Sequence, residues 1–151
     1  MLFRSAILGG AAGMVGAALL AGRSALACGA GRVHLGLVDE AAPRVDPMQP
    51  ELMLRPAKRL SLAASVVAAG PGLGQDDEAR NLLAKAFASA CPLVLDADAL
   101  NLVAKDTGLA SAVASREAPT VLTPHPAEAA RLLGTDTARV QSDRRSEEHT
   151  S

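Results

Sequence analysis

The sequence is poor in aromatic residues, which make up 1% of it: Phe3 and Phe87 are present, and tryptophan and tyrosine are absent. Proteins that bind single-stranded nucleic acids stack bases on such side chains. The net charge of -1 also lacks the excess of lysine and arginine that attracts a phosphate backbone. We therefore expect no nucleic-acid partner.

Cysteine is scarce as well. Cys28 and Cys91 are far apart and have neither CxxC spacing nor the spacing of a metal site. We interpret both as reduced, buried residues that act as small hydrophobic side chains. This interpretation places the protein in the cytoplasm.

The sequence also lacks a long uninterrupted apolar run. Residues 6–28 end in SALAC, a pattern that also occurs at the end of lipoprotein signal peptides, but five glycines and Arg23 interrupt them. A membrane span needs about 20 consecutive apolar residues. We favour a strand, a glycine loop and a helix that runs from about Met14 to Cys28 and ends at Gly29, and we expect no membrane association.

The remaining composition, 151 residues with 49% hydrophobic content, is typical of one globular domain. Three later segments repeat an apolar strand, a loop and a helix: SVVAAGPGLG at 65–74, LVLDADALN at 93–101 and TVLTPHPAEAARLL at 120–133. Parallel strands bring such loops to one edge of a sheet, where α/β proteins bind ligands. We predict a three-layer α/β domain with a mostly parallel sheet, in which the loops after Leu8, Ala69, Leu95 and Leu122 share that edge.

Glycine is concentrated in two of these loops, GGAAG at residues 9–13 and GPGLG at residues 70–74. Glycine lets backbone N–H groups approach a ligand closely, and a helix N-terminus favours an anion. We predict phosphate or nucleotide loops that contain Gly10, Gly13, Gly70 and Gly72. The alternative for GPGLG is a tight turn without a ligand.

Acidic residues follow two of the strands. Asp96, Asp98 and Asn101 suit a magnesium-bound water or a ribose, or else Asp96 caps a turn and Asp98 caps the next helix. Asp39 follows the predicted strand at 32–38, where dinucleotide folds hold the ribose. Ala11 occupies the place of the second glycine of GxGxxG, so a Rossmann-type site remains an alternative.

His125 lies between two prolines in TPHP, after a strand and before a helix in which Pro126 is the first residue. We predict a neutral side chain that makes one hydrogen bond to a substrate. His34, inside a strand, is interpreted as structural. Four prolines between residues 41 and 58 predict a loop with at most one helical turn, at 51–54.

Six segments occur in the order of the signatures of the ADP- or ATP-dependent NAD(P)H-hydrate dehydratases of the ribokinase-like superfamily: GGAAGMVGAALLAGRSALACGAGRV, PELML, AAGPGLG, VLDADALN, LTPHPAEAARL and VQSDR. Residues 6–144 thus resemble the N-terminal part of that family's catalytic domain. The chain departs from the pattern at Ala127, where TPHPGE has glycine, and at Ala12, where a small polar residue is frequent.

The resemblance implies a lyase that repairs hydrated NADH or NADPH. In such enzymes the terminal phosphate of ADP or ATP, with Mg²⁺, converts the ring hydroxyl into a phosphate ester, which leaves to restore the dihydropyridine. The implied substrate contacts are Ala17, Gly74 and His125, with Asp98 and Asn101 in the floor of the cleft. The resemblance also allows a homo-oligomer and a fused or partner epimerase.

The family's Lys-Gly-x-x-Thr and Gly-Gly-x-Gly-Asp segments do not occur in these 151 residues. The resemblance therefore implies no catalytic aspartate in this chain, and we expect the chain alone to be inactive, with an exposed sheet edge. Residues 1–5 and 145–151 read like translated sequencing adapters, which indicates scars at both ends.

Two other functions remain open at this point. One is a small-molecule kinase of the same superfamily, of the hydroxymethylpyrimidine or thiazole type. The other is a non-enzymatic dinucleotide-binding module that uses GGAAGMVG and Asp39.

Overall fold

The structure, a computed structural model, describes residues 3–147. Six strands form one parallel sheet in the order β3-β2-β1-β4-β5-β6. The strands are β1 Arg4–Gly9, β2 Arg32–Leu37, β3 Met53–Pro56, β4 Val66–Ala69, β5 Leu93–Leu95 and β6 Thr120–Leu122. The α-helices are α1 Val15–Ala27, α2 Asp77–Phe87, α3 Asp98–Lys105, α4 Thr107–Ala114, α5 Pro126–Leu133 and α6 Thr137–Glu147.

Helices cover both faces of the sheet, which confirms the three-layer α/β architecture. Along β1, Ile7 packs on the side of α1, whereas Ala6 and Leu8 pack on the side of α2, α3 and α4. The central strands are apolar without alternation because both of their faces are buried. Within residues 3–147, no helix is both long and apolar enough to cross a membrane.

The predicted helix ends are largely confirmed. Gly29, with a positive φ of 95°, follows the last residues of α1 and donates its N–H to Leu26. Asp76 caps α2 by accepting a hydrogen bond from the N–H of Ala79. The capping roles of Gly29 and Asp76 follow from residues close to them in the sequence.

Two expectations are corrected, and one helix was missed. The segment predicted as a loop at residues 41–58 contains β3, which pairs with β2 at the edge of the sheet. Pro56 is compatible with that place because an edge strand tolerates a missing N–H. Cys28 is exposed, although Cys91 is buried and both are free. Helix α6 was not predicted.

The adapter origin of residues 1–5 and 145–151 stays a prediction. Arg4 and Ser5, inside the first presumed scar, extend β1 beside Arg32 and Val33. Residues 1, 2 and 148–151 lie outside the described part of the chain. Helix α6 extends to Glu147, which lies inside the second presumed scar.

Strand β6 forms the other edge of the sheet and is poorly covered. Val121 is 54% exposed and Leu122 is 45% exposed. Successive residues of a strand point to opposite faces, so both faces of β6 are open to solvent here. Among residues 3–147, β6 is the last strand of the sheet, and the expected link between this edge and absent strands stays a prediction.

Arg116 ties the end of α2 to β6. Its guanidinium donates hydrogen bonds to four carbonyl oxygens at the end of α2 and in the segment that follows it, and to the hydroxyl of Thr120 at 3.0 Å. The carbonyls belong to Ala86, Phe87, Ser89 and Cys91. One cationic side chain thus satisfies the C-terminal end of a helix whose carbonyls carry partial negative charge.

Asp46 ties the proline-rich loop to α1. Its carboxylate is 1% exposed and receives two hydrogen bonds from Arg23, at 2.7 and 2.8 Å. It also accepts the N–H of Met48 at 3.1 Å. These contacts, led by the hydrogen bonds of Arg23, hold the pKa of Asp46 below its usual value.

Replacing Arg116 by lysine should lower the free energy of unfolding. Lysine keeps the charge but cannot present several fixed donors to separate carbonyls. Each hydrogen bond to a charged group contributes about 1.5 to 3 kcal/mol, so we expect a loss of at least that size in urea unfolding. Arg139→Lys, at an exposed position, is the control; equal stability of the two variants would contradict this role.

The Arg23–Asp46 pair should make stability dependent on pH in the acid range. Because the folded-state pKa of Asp46 is depressed, its contribution is present above the unfolded pKa of about 3.9 and is lost as the pH falls through the folded pKa. The difference in unfolding free energy between the native chain and Asp46→Asn should shrink over that interval. Urea unfolding at a series of pH values measures it.

Glu51→Gln, an exposed change in the same loop, is the matched control and should show no such interval. A difference for Asp46→Asn that stays constant throughout the acid range would show that the depressed pKa of Asp46 does not contribute to stability.

Candidate functional site

The loops that follow β1 and β4 are bonded to each other through their backbones. The N–H of Gly10 donates to the carbonyl of Pro71 at 3.1 Å, and the N–H of Ala11 donates to that of Gly72 at 2.6 Å. β1 and β4 are parallel neighbours, so both loops emerge at the same edge of the sheet. The predicted placement of these loops at one edge of the sheet is therefore confirmed.

Glycine at position 70 is required by contact with the next loop. A Cβ there would lie 1.8 Å from the backbone carbonyl oxygen of Asp96, and the φ of Gly70 is +128°. Gly13 differs, since its φ is +76° but no atom lies within 4 Å of where its Cβ would be. Gly70 therefore serves close packing, whereas Gly13 borders open space.

Part of the expected phosphate-binding backbone is used internally. The N–H of Gly10 is bonded to Pro71, that of Gly70 to Leu8 at 3.0 Å, and that of Gly74 to a side chain described below. The N–H groups of Ala12 and Gly13 donate to no acceptor among residues 3–147. Ala12 and Gly13 are exposed, whereas Gly72, whose N–H also donates to no acceptor among residues 3–147, is buried.

The N-terminus of α1 adds further free donors beside them. Its cap position, Met14, makes no side-chain hydrogen bond, and the first turn contains no acidic residue. By contrast, α2 and α5 are both capped by side chains. Ala17 is exposed in this first turn, 3.3 Å from where a Cβ on Gly72 would lie. An uncapped helix start next to open glycines favours an anion.

Asp98 holds the GPGLG loop in place. Its Oδ2 accepts the N–H of Gly74 at 3.0 Å, and its Oδ1 accepts the amide of Gln75 at 3.1 Å. The alternative in which Asp98 caps its own helix is wrong, because the cap position of α3 is Ala97. A carboxylate whose two oxygens both accept hydrogen bonds acts here as a support for the loop.

Ala97 has an unusual backbone conformation. Its φ of +48° and ψ of -116° are typical of glycine, and among the described residues it is the one non-glycine with positive φ. Such a conformation costs about 1 to 3 kcal/mol and is concentrated at functional sites. Here it directs the chain from β5 into α3, so that Asp98 faces the GPGLG loop.

His125 caps α5 together with Glu128. The ring Nδ1 accepts the N–H of Ala127 at 3.1 Å, and the N–H of His125 donates to Oε2 of Glu128 at 3.0 Å. The other ring nitrogen, Nε2, lies 3.2 Å from Oε1 of Glu128. In a neutral ring the proton is therefore on Nε2. Both ring nitrogens have protein partners, and the predicted substrate contact remains a prediction.

Asn101 is positioned by the neighbouring helix. Its Oδ1 accepts a hydrogen bond from Arg131 of α5 at 2.9 Å, which leaves the side-chain NH₂ for another partner. The loop that carries His125 is held to β5 by Thr123, which donates its N–H and its hydroxyl to the carbonyl of Leu95. Asn101 and His125 are thus brought to the edge that bears the glycine loops.

Asp39 supports the neighbouring loop. Its N–H donates to the carbonyl of Gly10 at 3.0 Å, and its Oδ1 accepts the N–H of Ala41 at 2.9 Å. The side chain thus closes an Asx turn after β2. This use of the carboxylate gives no support to the dinucleotide module built on Asp39.

A metal site is not formed by these side chains. Within residues 3–147 no three histidine, cysteine or acidic side chains cluster closely enough to hold an ion. Both oxygens of Asp98 already accept hydrogen bonds from the GPGLG loop and Gln75. The described residues therefore form no all-protein Mg²⁺ site, whereas Mg²⁺ is often held by one or two carboxylates together with water and substrate phosphates.

Sequence reasoning assigned no site role to three contributors: Gln75, Ala97 and Glu128. Glu128 could have been found, since an N-cap residue followed three positions later by glutamate is the capping-box pattern. Gln75 and Ala97 carry no such pattern. Their roles come from the approach of α3 to the loop after β4.

Comparison with known proteins supports a single family. The sequence model described as NAD(P)H-hydrate dehydratase matches residues 5–150. The ADP-dependent (S)-NAD(P)H-hydrate dehydratase of Neisseria meningitidis is 44% identical over 92% of this chain and 48% of its own length. The bifunctional NAD(P)H-hydrate repair enzyme of Coxiella burnetii is 42% identical over 91% of this chain and 28% of its own.

A solved structure agrees with the fold. It is the ADP/ATP-dependent NAD(P)H-hydrate dehydratase of Bacillus subtilis, co-crystallised with ATP and Mg²⁺ and soaked with CoA. It superimposes with a TM-score of 0.78 at 33% identity, over 95% of this chain and 53% of that one. The chain thus spans about half the length of these single-activity relatives. On the match to residues 5–150, the chain belongs to the NAD(P)H-hydrate dehydratase family and has the family's ribokinase-like fold.

Proposed function

We propose that this chain supplies a substrate-binding part of an enzyme that dehydrates hydrated NADH or NADPH at the expense of ADP or ATP. The observation that supports it most directly is the uncapped start of α1 beside the open glycine loop and the exposed Ala17. Such a surface suits the pyrophosphate that both forms of the substrate carry. The relatives' names supply the reaction and the nucleotide.

The chemical problem is a poor leaving group. Hydroxide leaves the hydrated ring slowly, and transfer of the terminal phosphate of ADP or ATP to that hydroxyl makes it a phosphate ester. The C–O bond of the ester then breaks, phosphate leaves with the electron pair, and loss of a proton from the neighbouring ring carbon restores the double bond of NAD(P)H; the shortened nucleotide remains. Bound Mg²⁺ would supply charge neutralisation for the transferred phosphate. In this chain we assign no residue to that step.

The residues of this chain bind and orient the substrate. The N–H groups of Ala12 and Gly13 and the first turn of α1 would bind the pyrophosphate. Gly74, fixed by Asp98, would border the hydrated ring. His125, whose Nε2 is paired with Glu128, would contribute the edge of its ring. Binding by fixed groups lowers the entropic cost of orientation.

The proposal is tested by calorimetric titration of the purified chain with hydrated NADH, followed by an assay with added ADP. We expect binding without turnover by the 151 residues. A longer polypeptide that also contains the Lys-Gly-x-x-Thr and Gly-Gly-x-Gly-Asp segments should regenerate NADH with release of phosphate. Phosphorylation of an alcohol that is released intact would instead establish a kinase.

Replacing Asp98 by alanine should weaken binding of hydrated NADH by about tenfold or more. The change removes two hydrogen bonds that orient the GPGLG loop, each worth about 1.5 to 3 kcal/mol, and tenfold corresponds to about 1.4 kcal/mol. Asp77→Ala, at an exposed position in the first turn of α2, is the control. Equal affinities of the two variants would exclude this role.

His125→Asn separates the capping role of the histidine from a contact with substrate. Asparagine is among the best N-cap residues, so the thermal stability of the chain should remain close to that of the native chain. Binding of hydrated NADH should weaken, because the imidazole ring that would contact the substrate is lost. Unchanged affinity with unchanged stability would restrict His125 to capping α5, and His125→Ala, which removes both functions, provides the reference for stability.

A further inference from the structure

A cavity of about 340 Å³ lies beyond the ends of β2 and β3. It is lined by Glu40, Arg44, Pro56, Lys58 and Arg59. A smaller cavity shares Glu40, Arg44 and Pro56 with it, and its lining also includes Asp39 and Arg55. Together the two cavities are lined by four cationic side chains and two carboxylates.

The positive charge in this place is only partly neutralised. Lys58 lies 3.2 Å from Glu40 and 3.3 Å from Glu78, and these contacts hold the pKa of Lys58 above its usual value. Arg44 and Arg59 have no ion-pair partner in the part of the chain that the structure describes. The arginines therefore leave an excess of positive charge.

Arg55 adds to this excess. Its Nη2 lies 3.1 Å from Nδ1 of His34, while its Nε is buried without a hydrogen-bond partner among residues 3–147. Burial, and after it the charge of Arg55, lower the pKa of His34. A neutral imidazole accepts the hydrogen bond but leaves the charge of the guanidinium uncompensated.

This basic cavity adjoins the glycine loops. Glu40 follows Asp39, whose N–H is bonded to the carbonyl of Gly10. Glu78 lies in the first turn of α2, four residues after Gly74 in the sequence. Lys58 contacts both glutamates and thereby spans the flanks of the two loops. A ligand that extends from the crevice over the end of β2 would meet the cavity.

We propose that Arg44 and Arg59 bind a phosphate group of the dinucleotide whose other half occupies the glycine-loop crevice. Guanidinium groups form paired hydrogen bonds with phosphate oxygens, and two unpaired arginines beside one cavity suit a dianion. This inference rests on the proposed function. The phosphate is either the 2′-phosphate that distinguishes NADPH from NADH or the half of the pyrophosphate that the amides of Ala12 and Gly13 leave uncontacted.

The experiment compares NADP⁺ and NAD⁺ as probes, with binding to the 151-residue chain and to the double variant Arg44→Gln/Arg59→Gln measured by calorimetry. For a 2′-phosphate, the variant should lose about tenfold or more in affinity for NADP⁺ and none for NAD⁺. For the pyrophosphate, both affinities should fall equally. Lys85→Gln/Arg139→Gln removes the same charge at exposed positions elsewhere and is the control.

A loss in the arginine variant no larger than that in the control would overturn the proposal, because it would reflect general charge only. NMR distinguishes failure of the arginine site from failure of the proposed function. If NAD⁺ and NADP⁺ leave the amide signals of Ala12 and Gly13 unshifted while inorganic pyrophosphate shifts the Nε–H signals of Arg44 and Arg59, the crevice assignment fails and an anion site remains. If the dinucleotides shift the amides and no probe shifts the arginines, the anion site is refuted.

Discussion

The close approach of the glycine loops after β1 and β4 is the constraint on which the site depends. Two backbone hydrogen bonds join these loops, and a Cβ on Gly9 would come within 2.1 Å of the carbonyl oxygen of Pro71. No side chain fits between them. The next loop repeats the constraint, since the carbonyl of Asp96 occupies the space beside Gly70. Three loops are thereby fixed as one surface.

This packing divides the backbone amides into two groups. Those of Gly10, Gly70 and Gly74 stabilise the surface, whereas those of Ala12 and Gly13 donate to no acceptor among residues 3–147. Glycine-rich loops are often interpreted as phosphate sites as a whole. In this protein the glycines at 70 and 72 bring backbones together, and the open position is at 13.

Polar side chains hold the loops of this surface in place. Asp98 orients the loop after β4, Glu128 orients His125, and Thr123 holds the TPHP loop to the end of β5. Each uses charge or a hydroxyl to satisfy a backbone or ring group that folding would otherwise leave unpaired. Rigid support of this kind is what a binding site needs to orient a substrate without a large entropic cost.

The charge around the surface is uneven. The arginines beyond β2 and β3 create a positive region next to the crevice, while the overall charge of the chain is only -1. A local excess of this kind acts over about one Debye length, roughly 8 to 10 Å, and so concerns the neighbouring loops rather than the whole molecule.

Local rules were sufficient to predict much of the fold from the sequence. Apolar runs located the central strands, Gly29 and Asp76 marked helix ends, and the repeated pattern of strand, loop and helix placed the loops after Leu8, Ala69, Leu95 and Leu122 on one edge. These features depend on residues near one another in the chain. The order of six motifs likewise indicated the family before any contact was known.

Tertiary structure decided the rest, because it depends on pairs distant in the sequence. Strand β3 forms because β2 offers it an open edge, and its own residues do not alternate. The carboxylate of Asp98 bonds to Gly74, which lies 24 positions away, rather than to its own helix. The basic cavity arises where residues 40, 44, 58 and 59 meet beyond two strand ends. The sequence alone determined where glycine lets two backbones approach closely. Packing determined which backbone N–H groups and which charged side chains have no partner within the protein.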